Sequence, residues 1–214
     1  RGLFDNNGTV TAQNSGNLIW DGANTTANLG NVVLAAGGRA LLNGTIDNTA
    51  STITAPTGGA FELYGGTIKN GTIAAGALTF TSSGGYLDGA ILTGNLNLSA
   101  STHVRMINGA SYTGTGISLA NYSGIYWQQA QTLTSQSLSF GTGGYFYVQG
   151  AGNSLALNSS TLTMGNGAYI YLSGANTSLT LDGSTTTSGG VSFYSDGSAG
   201  TTITNQGTIN HNVG

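Results

Sequence analysis

Glu62 and Asp88 are the two carboxylates whose spacing could support catalysis in this chain. With a repeat of about 22 residues they are expected to register in adjacent turns, with Arg105 in the next, and strands so stacked lie about 4.8 Å apart. Two carboxyl groups about 5 Å apart have the separation of a retaining glycosidase pair, one serving as acid and the other as nucleophile. The trio also reads as a surface charge ladder in which Asp88 sits between a like and an opposite charge. The ladder is the better reading, because the other acids are scattered. The two histidines, His103 and His211, are far apart in the repeat, so neither a histidine metal site nor a Ser-His-Asp triad has support. Absence of Cys excludes disulfides and cysteine zinc sites. No GGxGxD calcium repeat occurs, and the Gly-Gly pairs precede strands rather than helices, so they are turns and not phosphate loops. No cofactor or metal is expected.

Aromatic residues offer a different chemistry. The stretch GGYFYVQG, Gly143 to Gly150, sets three rings side by side. Successive side chains of a strand point to opposite faces, so the three cannot share one core.

The elements that must position these residues emerge from self-similarity. A small-small pair followed by an alternating strand recurs as GGRALLN from Gly37, GGAFELY from Gly58, GGYLDGA from Gly84, STHVRMI from Ser101, SGIYWQQ from Ser123, GGYFYVQ from Gly143, GAYIYLS from Gly167 and GGVSFYS from Gly189. Two further short strands follow each opening, as in TIDN from Thr45 and STITA from Ser51. Three strands per repeat, separated by Gly and Asn turns, describe one coil of a parallel β-solenoid. The expected fold is all-β, a single-stranded parallel β-helix with three sheets and about nine to ten coils of about 22 residues. An antiparallel sandwich has no reason to return to the same signal at this interval. With no linker or composition break, residues 1–214 read as one solenoid domain, a fragment or subunit of a larger surface assembly.

Registering the first strands gives an inward set of Ala40, Leu42, Phe61, Leu63, Leu87, Val104, Met106, Tyr126, Phe146, Val148, Ile170 and Leu172. Inward positions of the other strands include Ile46, Ile68, Ile91, Leu155 and Ile203, and Ile53, Phe80, Leu96, Leu162 and Ile209. One outward column runs Trp20, Leu41, Glu62, Asp88, Arg105, Trp127, Tyr147, Tyr171, Phe193; the other includes Tyr86, His103, Ile125, Tyr145 and Tyr169. The expected contact face is therefore Tyr86, Trp127, Tyr145, Tyr147, Tyr169, Tyr171 and Phe193. Contiguous exposed apolar patches mark interaction sites, and Tyr and Trp suit a sugar ring or another protein. A self-stacking ladder that stiffens the sheet is the alternative. Outward Thr on the remaining strands, as in Thr161/Thr163, follows from β-propensity and also resembles an ice-binding array, interrupted here by Asn, Ala and Gly.

Composition sets the outer limits. The 214 residues include 37 Gly, one Pro, four basic and seven acidic side chains, for a net charge of −3. A charged fraction of 5% is far below the roughly one quarter of ordinary soluble domains, yet 38% hydrophobic residues suffice for a core. Four basic residues and a pI near 4.9 leave no electrostatic footprint for nucleic acid. No apolar run is long enough to span a membrane. Arg1 in place of Met suggests a processed or excised chain, and neither RGLFDNNGTVTAQ nor TTITNQGTINHNVG carries a cap that would blunt a terminal strand edge.

Across its whole length the chain resembles the β-helical repeat regions of large bacterial surface proteins, the autotransporter passengers and filamentous-haemagglutinin-type adhesins. The resemblance lies in GTIxNGT segments such as Gly66 to Thr72, GGxFxL-like openings, Gly/Thr/Asn/Ser turns, scarce charge and no Cys. It implies a secreted or cell-surface, non-catalytic stalk, adhesin or filament component. Its partners would be copies of itself or neighbouring subunits, with carbohydrate a further candidate. A tailspike-like glycan-cleaving β-helix using Glu62 and Asp88 is the alternative.

Overall fold

The computed structural model describes residues 5–212, so residues 1–4, 213 and 214 of the terminal stretches lie outside it. The protein is a β-solenoid of about nine coils of about 22 residues, with 54% of residues in strands and 2% in helix. Among the described residues the strand pairings are parallel, because each strand pairs with its counterpart one coil away. The described residues divide into two compact units. One runs to Gly94 and adds Gly109–Thr113; the other takes Asn95–Asn108 and continues from Gly114.

In the first unit one ladder holds Asn17–Trp20, Arg39–Leu42, Phe61–Leu63 and Leu78–Phe80, and a second holds Ala23–Thr25, Thr45–Asp47, Thr67–Lys69 and Tyr86–Asp88. A third side is made of shorter pairs, Thr9–Ala12 with Asn31–Leu34 and the Thr52–Ile53, Thr72–Ile73, Ile91–Leu92 and Ser111–Tyr112 ladder. The core between them contains Leu42, Ile46, Ile53, Leu63, Ile68, Ile73 and Leu87, all buried. Asparagines fill the corners. Asn48 is fully buried and satisfied, its amide donating to the Asn70 and Thr72 carbonyls while Thr26 Oγ1 donates to its Oδ1. Turn backbone that the ladders leave unpaired is thereby satisfied, which accounts for part of the Asn content.

The second unit stacks His103–Ile107, Gly124–Gln128, Tyr145–Gln149, Tyr169–Ser173 and Ser192–Ser195 on one face. Another face stacks Leu96–Leu98, Gly116–Leu119 and Ser137–Phe140 on the C-terminal part of the long strand Ser154–Met164. That strand and Ser178–Ser188 bend round a corner at a register shift between Asn158 and Ser160. Phe146, Ile170, Leu155 and Leu162 are buried here, as is Phe61 in the first unit, all as expected.

Several expected positions are corrected. Gly-Gly pairs do not mark one corner: Gly84–Gly85 stacks on Gly65–Gly66, the Gly65 N–H donating to Gly84 O and the Tyr86 N–H to Gly66 O. Tyr86–Asp88 thus follows Thr67–Lys69, and the strand beside Phe61–Leu63 is Leu78–Phe80. Glu62 accordingly neighbours Leu41 and Thr79, while Asp88 neighbours Lys69, so the two carboxylates do not register in one column. Trp20 and Trp127, placed outside by the sequence reading, are 1% and 0% exposed, and Leu41 and Ile125 are also buried. Tyr126 turns outward, opposite Arg105 and Tyr147. Phe193 pairs with Ile170 on the inward side, leaving Tyr194 beside Tyr171. Ile91 faces out and Leu92 in. Ile203 and Ile209 hold inward register opposite Leu179 and Thr185, yet both are exposed in the last described coil.

Candidate functional site

Outward residues of the second unit's first face form two columns. His103, Gly124, Tyr145, Tyr169 and Ser192 make one; Arg105, Tyr126, Tyr147, Tyr171 and Tyr194 make the other. Alternation drives Phe146, Ile125, Trp127, Val148, Ile170 and Leu172 into the core beneath them, all buried. This places Tyr145, Tyr147, Tyr169 and Tyr171 together as the sequence predicts. Tyr126 and Tyr194 join them in place of Trp127 and Phe193. Tyr86 is half-buried in the first unit, opposite Thr67.

The six tyrosines are packed ring on ring. Tyr126 stacks on Tyr147 with centroids 5.0 Å apart and planes 18° apart, and Tyr145 stacks on Tyr169 at 5.6 Å and 14°. Between the columns the rings meet edge to face, as in Tyr145 with Tyr147 at 5.5 Å and Tyr126 with Tyr145 at 5.8 Å. Both arrangements suit the aromatic quadrupole. The Tyr147 and Tyr169 hydroxyls lie 3.2 Å apart. The Arg105 guanidinium lies 4.5 Å from the centre of the Tyr126 ring, a cation–π contact. His103 meets the edge of Tyr126. Gly124 is needed for a steric reason: a Cβ there would fall 2.1 Å from Cε2 of Tyr145, so that ring lies down on the bare backbone of the preceding coil.

This packing shows in the acid–base chemistry. Burial, then the hydrogen bond with Tyr126, raises the Tyr145 hydroxyl well above the usual tyrosine range; burial and the contact with Tyr147 do the same for Tyr169. Burial, and then the positive charge of Arg105, holds His103 below its ordinary value, so its ring is neutral at physiological pH. Beside the tyrosines runs a polar column in which Gln128 Nε2 donates to Gln149 Oε1 at 3.1 Å, and Ser173 Oγ and the Gly174 N–H donate to Asp196, each at 3.0 Å.

The carboxylate alternative is placed differently. In the first unit Arg39 clasps Glu62 through two parallel hydrogen bonds, Nε to Oε1 at 2.8 Å and Nη2 to Oε2. Asp88 continues a separate column after Asp47 and Lys69. A hollow in that unit is lined by Leu29, Asn31, Val32, Thr52, Pro56 and Phe61 among others, with no acid, base or histidine in its wall. Among the described residues no three His, Cys, Asp or Glu side chains group to hold a metal ion, and no helix is long and apolar enough to cross a membrane.

The sequence reading missed Tyr126 and Tyr194, and the signal for Tyr126 was available. The alternation of His103, Arg105 and Ile107 against Val104 and Met106 fixes the phase of its coil, and extending it one coil sets Gly124, Tyr126 and Gln128 outward. Comparison with known protein families, with curated proteins and with solved structures gives no match.

Proposed function

We propose that this chain is a non-catalytic structural or adhesive solenoid of a secreted or cell-surface assembly, and that its tyrosine face is the contact with neighbouring subunits. The observation that carries this reading is the gathering of six tyrosines on one outward sheet face. Tyr is enriched at protein interfaces, where its ring excludes water and its hydroxyl finds a partner on the other side. The flanking amides and Asp196 supply the polar rim such a contact needs. A saccharide fits this face less well, since stacking on a sugar requires a free ring face and Tyr126 already lies between Arg105 and Tyr147. The repeat style shared with bacterial surface solenoids and the very low charge support the setting. The different columns of Glu62 and Asp88, and the hold of Arg39 on Glu62, support the non-catalytic reading.

The test is the double variant Tyr147→Ser/Tyr171→Ser. It should keep the parallel-β circular dichroism and lose about 2 kcal/mol or less of stability, while lateral association, followed by sedimentation over a wide concentration range, disappears. Association that survives the double change, or that falls only in proportion to lost stability, would assign the tyrosines to stiffening the sheet.

A further inference from the structure

Tyr122 stands apart from the ladder. It sits in the turn before Gly124–Gln128 and is 63% exposed, the highest value among the exposed large hydrophobic side chains of the described residues. Its φ is 57°, in the left-handed region that bulky L-residues avoid. The same corner holds Ser101 one coil back, at φ 59°, and Gly143 and Gly167 one and two coils on, at φ 63° and 70°. Glycine meets this backbone demand without strain; tyrosine does not. The other ten described non-glycine residues with positive φ are all Asn, Ser or Ala, so a bulky aromatic in this conformation is the outlier from which a role is inferred.

The ring's placement says what that role is. A Cβ on Gly143 would fall 2.6 Å from Cδ1 and 2.8 Å from Cε1 of Tyr122, so the edge of the ring abuts the bare backbone of the next coil while most of the residue stays open to solvent. This is the free aromatic surface that the stacked tyrosines lack. Around it are neutral polar groups. Asn121 Oδ1 accepts the Thr142 N–H at 3.0 Å, which fixes the side chain, and among the described residues its Nδ2 donates to no protein acceptor. Asn166 repeats this arrangement two coils away from Asn121, its Oδ1 accepting the Gly190 N–H at 3.0 Å. The exposed Thr142 lies between. No charged residue belongs to this corner.

We infer that the corner formed by Tyr122, Asn121, Thr142 and Asn166 is a binding site for a neutral saccharide. A pyranose ring offers an apolar C–H face to the open side of Tyr122, and its hydroxyls accept from the pre-oriented amides of Asn121 and Asn166, whose anchors are two coils, about 10 Å, apart. Absence of charge matches an uncharged ligand. A protein partner fits less well, because a single ring contributes at most about 250 Å² where a stable interface buries about 800 Å² on each side.

The site is independent of the tyrosine ladder, and the experiment keeps the two apart. Full-length protein with 13C-labelled tyrosine is titrated with cellohexaose, maltohexaose and laminarihexaose, and ring resonances and affinity are followed. At least one hexasaccharide should shift the Tyr122 resonances. Tyr122→Gly, which also relieves the strained φ, should unfold at no lower temperature than wild type and bind at least tenfold more weakly. Tyr122→Phe should bind within threefold of wild type, while Asn121→Asp, which keeps the cap on Thr142 and removes the donor, should bind more weakly. The Tyr147→Ser/Tyr171→Ser protein should bind the saccharide normally whatever becomes of its association. The site is overturned if no hexasaccharide moves the Tyr122 resonances, if Tyr122→Gly binds as well as wild type, or if binding is lost in the ladder variant alone.

Discussion

Within the second unit each coil contributes one strand to the tyrosine face and another to a face coated with hydroxyls. On that other face Asn97, Ser118, Ser139, Thr163, Thr186 and Asn210 form one outward column, and Gly116, Ser137, Thr161, Ser184 and Thr208 form the next. Both faces obey the same parallel pairing and the same alternation, and both rest on buried apolar side chains, Phe146 and Ile170 under one, Leu138 and Leu162 under the other. What a coil demands is met by the inward residues and the turns. Small hydroxylated side chains evidently suffice outside, so close-packed tyrosines on the opposite face exceed what the fold requires. Their mutual stacking returns some stability, about 0.5–1.5 kcal/mol for each pair. Stacking alone does not explain why the rings are confined to one face.

The comparison breaks most visibly at the layer boundary. Trp127 is fully buried beneath the face and Tyr126, its neighbour in sequence, lies on it. Trp127→Ala should cost about 3–5 kcal/mol, and Tyr126→Ala about 1 kcal/mol, read as shifts in the urea midpoint at constant slope. A larger loss at Tyr126 would mean that the strand is registered the other way round, with tryptophan on the contact face.

A weaker effect should appear at alkaline pH. Tyr145 and Tyr169 have folded-state values raised above the unfolded value of about 10. Their neutral forms therefore favour the fold. That contribution is complete below pH of about 10 and is lost as pH climbs through the folded-state values. Unfolding midpoints measured between pH of about 8 and about 11.5 should be flat at first and then fall. The double variant Tyr145→Phe/Tyr169→Phe should fall less steeply. An identical slope in the variant would place the alkaline sensitivity outside the ladder.

How much of this was legible follows from where polar residues interrupt the alternation. In YFYVQ and YIYLS the phase is plain, because neighbouring coils and the trailing Gln149 and Ser173 set it, and Tyr145, Tyr147, Tyr169 and Tyr171 were placed correctly. In GIYW and NLIW every residue after the first is apolar, so a slip of one position exchanges inside and outside with no local penalty visible in the sequence. Both tryptophans were lost that way. The Glu62–Asp88 pairing failed for another reason. Two corners of the coil both need a left-handed residue, Gly65 and Gly84 at one and Gly58 at the other, so a Gly-Gly pair cannot say which corner it marks. Burial of the corner asparagines and the contact of the Tyr122 ring with Gly143 depend on contacts between coils that no local pattern encodes.

Gly124 offers a finer test. Its backbone is ordinary, so Gly124→Ala should cost nothing in conformation; the added methyl instead displaces the Tyr145 ring. About 1 kcal/mol of destabilisation is expected, at the low end of overpacking, with changed Tyr145 ring resonances and weaker lateral association. Unchanged Tyr145 resonances would show that the ring does not rest on this glycine.

The smallest effect is expected on the hydroxyl face. Thr163→Val keeps the β-branched shape that favours a strand and removes only an exposed hydroxyl that makes no side-chain hydrogen bond among the described residues. Stability should change by no more than about 0.5 kcal/mol, as for surface substitutions in general, and sedimentation should match wild type. The same shape change at Tyr147 removes a ring that touches Tyr126, Tyr145, Tyr169 and Tyr171, so Tyr147→Val should weaken association even though valine is a good strand residue. The pair separates β-propensity from contact chemistry, since both variants end with the same side chain at an outward position of the same unit. If Thr163→Val reduced association as much as Tyr147→Val, subunits would meet through the hydroxyl columns, and the tyrosines would be left as the stiffening of their own sheet.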